Sequence, residues 1–266
     1  MNGKIRIGAV PYLNARPLIW ALGRERGDRY ELCCEVPSRL AQSLGAGEVD
    51  VALLPAFAYL CGTGDVVVPG VSISCRGPAA SVKLFSRVPL PEVRQLATDA
   101  SSSSSAALAQ VLLRERYRAE FTVASVRPDL EAMLAQADAA LLIGDLALRA
   151  SHPDAEVICD LGEEWYNWQH LPFTFALWVA GAGVAPEVAA DLLWAKEQGL
   201  ANMATVVAEE SAKSGLSAAG VAEYLQQNLD YHLTEDHLEG LRTFGRLCLA
   251  HGLVDNERDF NFLRPD

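Results

Sequence analysis

The chain has 266 residues, half of them hydrophobic and 21% charged, enough apolar material for one large domain or two modest lobes of a soluble globular protein. Its 22 Lys and Arg against 34 Asp and Glu leave a formal charge of −12, which argues against nucleic acid or an anionic membrane as partner, since both need a basic surface. An anionic ligand would have to be captured by local donors against the overall field.

The N-terminal "MNGKIRIGAVPY" has no long apolar stretch of the secretory kind. The weakly polar run Leu171 to Pro186 is broken by Thr174, glycines and prolines, too short for a membrane span. The cysteines at 33, 34, 61, 75, 159 and 248 show no CxxC spacing, so free thiols in a reducing cytoplasm are expected. The five histidines form no HxxxH or HExxH pair, and no metal site is expected.

In chain order, "KIRIGAV" reads as a strand, "RPLIWALGRE" as a helix and "YELCCEV" as a strand. "PSRLAQSLGAGEVD" is a helix opened by Pro37–Ser38, and "VDVALLP" is a strand apolar enough to be buried on both faces. This alternation predicts a parallel α/β sheet. From about Pro89 the pattern restarts: "VRQLATD" strand, "SSAALAQVLLRERY" helix, "AEFTVAS" strand, "DLEAMLAQ" helix, "AALLIGD" strand. Two such units in succession suggest two lobes. The rest is mostly helical: one long helix from Pro186 to about Gly215, "SAAGVAEYLQQNL", and a last helix opened by Thr234 and stopped at Gly252.

Behind the first strand, "VPYLNARPLIW" places Tyr12, Asn14 and Arg16 within five positions, an unusual polar set for a plain connecting loop. "TDASSSSSAALAQVLL" carries serines into a helix start, where hydroxyls either cap the helix or join its free N–H groups in an anion site. Along "VSISCRGPAASVKLFS", Ser72, Ser74 and Ser81 alternate with apolar residues, as on a strand lining a groove or on any half-exposed strand. Gly144 and Asp145 end a buried strand, where Asp145 fits an ordinary helix cap. His170 lies in an aromatic stretch, "DLGEEWYNWQHLPFTFALWVA", of the kind that builds cores more often than sites; it is a candidate acid or base by chemistry alone. "GAGVAP" lacks the Lys-Ser/Thr of a P-loop and the third glycine of a dinucleotide fingerprint, and no GxSxG elbow occurs. No cofactor is indicated.

Taken together, "YLNARPL", "GEVDVALLP", "GPAASVKLFS", "DASSSSS", "IGDLAL", "DLGEEW" and "LPFTFALW", in this order over about the first 180 residues, resemble the menaquinone-biosynthesis family that contains chorismate dehydratase, the first enzyme of the futalosine route. The resemblance implies a type II periplasmic-binding-protein-like α/β fold: two α/β lobes, an interlobe cleft and two hinge crossovers near Lys83–Ser86 and Phe173–Leu177. Lobe 1 would comprise residues 1–86 and 177–266, and lobe 2 residues 87–176. Two positions depart from the family pattern. Gln169–His170 stand where Thr-Gly is usual before "LPF", and Ser103 and Ser104 stand where Arg and Thr are favoured. The sister branch acting on a futalosine-derived nucleoside usually opens with a "PNDTF"-like loop, which is not evident here.

The implied reaction is a hydro-lyase step, chorismate to 3-[(1-carboxyvinyl)oxy]benzoate and water, on a small dicarboxylate and without a cofactor. Asn14 is the best single catalytic candidate for it, since an amide can hydrogen-bond the departing hydroxyl or a substrate carboxylate. Tyr12, Arg16, Ser38, Arg39, Ser72, Ser81, Ser104, Ser105, Gly144, Asp145, His170 and Thr174 form the expected substrate-binding set, with helix N-termini at Ser38–Arg39 and Ser104–Ser105. The proton acceptor is either the substrate's own enolpyruvyl carboxylate or a side chain, His170 or Asp145. A non-catalytic solute-binding protein and the ligand-sensing domain of a regulator would share the fold.

Overall fold

Ten strands form two five-stranded sheets in a computed structural model that describes residues 3–99 and 103–263. The first sheet takes β1 (Ile5–Ala9), β2 (Tyr30–Cys34), β3 (Val51–Pro55), β4 (Val66–Cys75) and β10 (Phe173–Ala180), in the order β2-β1-β3-β10-β4. The second takes β5 (Val82–Ser86), β6 (Gln95–Thr98), β7 (Thr122–Ser125), β8 (Ala139–Ile143) and β9 (Val157–Asp160), in the order β7-β6-β8-β5-β9.

The expected parallel pairing holds for β1 with β2 and β3, and for β6 with β7 and β8. Each sheet also carries one reversed strand. β10 runs antiparallel to β3 and β4, and β5 antiparallel to β8 and β9. These are the strands on which the chain enters a sheet from the other one. The crossovers therefore lie earlier than the sequence suggested. Lys83–Ser86 is inside β5 of the second sheet and Phe173–Leu177 inside β10 of the first, so the chain passes between sheets over 76–81 and 161–172. An apolar strand pattern reports burial, not which sheet receives the strand.

The helices are α1 (Arg16–Ile19), α2 (Leu22–Glu25), α3 (Pro37–Gly45), α4 (Ala56–Leu60), α5 (Ser103–Glu115), α6 (Leu130–Gln136), α7 (Gly144–Arg149) and α8 (Leu161–Gln169), followed by α9 (Glu187–Ala201), α10 (Met203–Ser214), α11 (Ala218–Glu223) and α12 (Glu235–Ala250). The single helix expected over "RPLIWALGRE" is two short pieces, α1 and α2. The long helix expected from Pro186 breaks at Asn202 (φ −104°, ψ 23°), whose side-chain amide donates to the Gln198 carbonyl at 2.8 Å and ends α9. α9 also crosses α1 at a glycine: a Cβ on Gly199 would lie 1.8 Å from the Pro17 carbonyl oxygen. That contact holds down the segment directly after the Tyr12–Arg16 loop.

Two main apolar clusters follow. The first sheet buries Ile7, Leu53, Leu54, Trp178 and Val179 against α3 and α9. The aromatic stretch of 161–178 contributes mainly to the second cluster, where Trp165, Phe173 and Phe244 meet edge to face with ring centroids 5.0–6.1 Å apart. Such pairs add about 1 kcal/mol each beyond the area they bury. Since Trp165 is on α8, Phe173 on β10 and Phe244 on α12, this cluster fastens the second crossover to the C-terminal helix. All six cysteines are unpaired thiols.

Candidate functional site

In open parallel sheets, ligands gather at the carboxyl ends of the strands, where following helices present their N-termini. Here β1, β3 and β8 end around one cavity, and Tyr12–Asn14, Pro55 and Gly144 lie at the starts of the helical turns that follow them. Pro37 at the start of α3 and Ser104–Ser105 at the start of α5 complete the ring. Residues from both sheets form the walls. The free space between these walls, open mouth included, is ≈ 610 Å³.

The lining is largely apolar, with Val10, Leu53, Ile73, Val82, Ile143, Phe175 and Leu229 among it. Its side-chain polar groups come from Tyr12, Asn14, Ser81, Ser104 and Ser105. Among the described residues no Asp, Glu, His, Lys or Arg lines the cavity, and the undescribed residues 100–102 are Ala, Ser and Ser. No cluster of three or more His, Cys, Asp or Glu suited to a metal occurs among the described residues.

Asn14 Oδ1 is buried and has no hydrogen-bond partner among the described residues, so an acceptor stands unused by them at the cavity wall. Leaving it so costs about 1–3 kcal/mol, which a ligand or water donor would recover. The Tyr12 ring lies over Gly144, 3.7 Å from where a Cβ would stand; Gly144 itself sits at φ 62°, a conformation that disfavours any other residue. Ser81 is locked through its backbone: its carbonyl accepts the Gly144 N–H at 2.8 Å, across the mouth between the first crossover and α7.

Ser104 is largely spent on structure. Its hydroxyl accepts the Phe57 N–H at 3.1 Å and donates to the Phe175 carbonyl at 2.9 Å, tying the start of α5 to the first sheet. Ser105 is a buried part of the wall.

The other expected contacts lie outside the cavity lining. Ser38 is exposed, and Arg39 is exposed and paired with Glu48 at 3.0 Å. Pro37, the first residue of α3, lines the cavity, but the second and third residues are exposed. Arg16 turns to α10, 3.4 Å from Glu210, and donates to the Pro11 carbonyl. Ser72 and Thr174 belong to an internal chain between β4 and β10, in which Ser72 meets Ser74 at 2.6 Å and Ser74 donates to Thr174 at 2.9 Å. Asp145 accepts the Leu13 N–H at 3.2 Å, fastening α7 to the loop that carries Asn14. Burial pushes its pKa up, while the Leu13 N–H and the charges of Arg149 and Arg16 pull it back. His170 is exposed and caps α8 in the left-handed conformation, φ 56°. This left-handed cap is the position at which the family pattern usually has glycine, and it places the histidine on the outside.

Two contributors were not among the expected site residues. Asp160 receives four backbone N–H groups, those of Ala79 (2.9 Å), Ala80 (2.6 Å), Gly162 (2.9 Å) and Glu163 (3.2 Å). It both caps α8 and pins the crossover that presents Ser81, which gives "DLGEEW" and "GPAAS" a shared physical purpose. Burial raises its pKa against those donors. Tyr224, at the end of α11, is buried and donates to Ser81 Oγ at 2.8 Å. A tyrosine on an amphipathic helix reads as core, so only the fold reveals this contact.

Two α/β sheets with a cleft between their strand ends define the periplasmic-binding-protein fold, and solved structures agree. A protein of Archaeoglobus fulgidus superposes with a TM-score of 0.73 at 17% identity, covering 94% of this chain and 98% of that one. The periplasmic aliphatic sulphonate binding protein of Escherichia coli gives 0.67 at 17% identity, covering 100% and 95%. Within that class, residues 5–250 match the family described as menaquinone biosynthesis, and the chain belongs to it. It is 30% identical over 263 residues to the chorismate dehydratase of Thermus thermophilus, covering 90% of this chain and 93% of that protein.

Proposed function

We propose that this protein is a chorismate dehydratase, a hydro-lyase of the cytoplasm that converts chorismate to 3-[(1-carboxyvinyl)oxy]benzoate and water. The observation that carries the reading is the cavity itself, an apolar slot between the strand ends whose described polar side chains are all uncharged, with Asn14 Oδ1 in its wall unpaired among the described residues. The similarity to a named chorismate dehydratase supports the substrate.

The reaction removes a proton from C3 and hydroxide from C4, and the ring becomes aromatic. Aromatisation supplies the driving force, so the protein has to orient the ring, donate to developing negative charge and exclude water. Chorismate brings two carboxylates. The helix N-termini of α3 and α5 and the hydroxyls of Tyr12, Ser81 and Ser105 supply positive potential and neutral donors for them. With no ionisable base in the described cavity wall, the substrate's own enolpyruvyl carboxylate takes the C3 proton, and the departing hydroxide leaves with it as water. Asn14 can donate from its amide to that carboxylate or to the leaving oxygen, and cannot itself act as a base.

The test is direct: purified protein mixed with chorismate yields the aromatic enol ether, followed by its ultraviolet absorbance and by mass. Asn14→Ala lowers kcat at least about 100-fold, the scale of a lost transition-state donor, with little change in Tm. A wild-type protein that leaves chorismate intact refutes the reading. An Asp145→Asn protein that binds product normally yet turns nothing over assigns the base to Asp145 instead.

A further inference from the structure

We infer that Tyr224 is a positioning residue of the dehydration, setting the direction of the Ser81 hydroxyl from behind the cavity wall. This rests on the dehydratase reading above. Tyr224 opens a single π turn, Tyr224–Asn228, at the end of α11. Such turns are rare and widen a helix locally, which displaces a side chain from the helical face it would otherwise share.

Both ends of this turn are fastened to the first crossover, 150 residues earlier in the chain at one of them. The Tyr224 hydroxyl donates to Ser81 Oγ at 2.8 Å, and Asn228 Nδ2 donates to the Pro78 carbonyl at 3.0 Å. Leu229, the next residue, lines the cavity. The turn thus lies directly behind the wall that presents Ser81.

A hydroxyl has one hydrogen to give. Once Ser81 Oγ accepts from Tyr224, its own hydrogen is released from that contact and is available to the cavity, where a carboxylate or a leaving oxygen needs a donor. Without Tyr224 the same hydroxyl can rotate back and donate elsewhere. Burial keeps the Tyr224 phenol protonated, its pKa well above the ordinary value, while Ser81 and the Asn14 amide beside it pull the other way. The donor is therefore in place throughout the neutral range. Proximity to Asn14 puts the phenol between the two cavity residues best suited to the chemistry.

Tyr224→Phe removes one oxygen and keeps the ring that fills the core. The expected result is a fall in kcat of about 10- to 100-fold with KM changed less than about threefold, the pattern of an interaction realised in the transition state. A structural defect alone would not produce the second signature, which is coupling. In Ser81→Ala the hydroxyl to be oriented is gone, so adding Tyr224→Phe to it costs less than about twofold more. Additive losses overturn the inference, as does a Tyr224→Phe enzyme with wild-type kcat alongside an active wild type. A wild type inactive on chorismate overturns the dehydratase reading and this inference together, so the two failures are told apart by the wild-type lane.

Discussion

Asp160 is the residue on which the shape of the cleft can be tested most sharply. It accepts four N–H groups, two from the start of its own helix and two from Ala79 and Ala80 in the crossover. Removing the helix cap costs about 1 kcal/mol. The Ala79 residue is buried, so water cannot replace the lost acceptor, and a hydrogen bond to a charged group is worth about 1.5–3 kcal/mol. Ala80 is partly exposed and can recover most of its loss from solvent. The burial that raises the Asp160 pKa is a cost the variant no longer carries, which offsets part of the total.

Asp160→Ala should therefore lose about 3 kcal/mol, or roughly 6–12 °C in Tm for a chain of this size. Asp160→Asn should lose about half that. Its amide oxygen can turn to the side with three donors, leaving its NH2 facing the Ala80 N–H. Both variants stay folded at 25 °C if the native stability lies in the ordinary range of about 5–15 kcal/mol. Urea titration gives the stabilities, and turnover of chorismate in the same samples gives the functional loss. Ala80 stands at φ 60°, a conformation the Asp160 contact holds, so Ser81 shifts in both variants and kcat/KM falls at least about tenfold. An Asp160→Ala protein within 1 kcal/mol of wild type, or one with unchanged kcat/KM, would show that the crossover holds its shape without the carboxylate.

His170→Gly should stabilise the protein by about 1 kcal/mol, because His170 occupies a left-handed helix cap that glycine adopts without strain. Its turnover should stay within twofold of wild type, and a large loss of activity would put the histidine back in the chemistry. Asp230 sits 3.2 Å from the buried His237 ring and 2.9 Å from His232. Burial pushes its pKa up, but the hydrogen bonds from His237 and His232 outweigh this and hold it far below the carboxylate range. A depressed folded pKa stabilises above the unfolded value of about 3.9 and loses that contribution as pH falls below it. The stability gap between wild type and Asp230→Asn should therefore be level above about pH 5 and narrow steadily from there down to pH 2 in denaturant titrations, and a gap that stays constant to pH 2 would refute the assignment.

The alternation of apolar runs and helix caps was legible because strands buried on both faces and amphipathic helices leave different periods in a sequence. The loop of Tyr12 and Asn14 was legible too, since an aromatic, an amide and a guanidinium within five positions are an unusual set for a plain connecting loop. What period alone does not carry is which neighbour a face meets. Ser72 and Ser74 follow the alternation of a groove strand, yet the side they share faces an internal serine–threonine chain that runs on to Thr174. β5 and β10 look like their neighbours and belong to opposite sheets. Ser38 and Arg39 were expected as a helix N-terminus, but only Pro37 of that first turn lines the cavity and their side chains are exposed. Tyr224 reaches Ser81 over 143 residues of chain, a distance at which no local pattern speaks.

A cleft with uncharged side chains is a reasonable answer to the chemistry proposed for it. Chorismate and its product carry the same two carboxylates, so salt bridges to Arg or Lys would hold both with nearly equal strength. Uniform binding of that kind lowers KM without raising kcat and delays release of the product. Hydroxyls, an amide and helix N-termini bind anions more weakly and in fixed directions. Discrimination then falls on what the reaction changes, namely the pucker of the ring and the oxygen leaving C4. An apolar wall such as Leu53, Ile143, Phe175 and Leu229 favours the flat aromatic form as it develops and keeps water out while the proton moves.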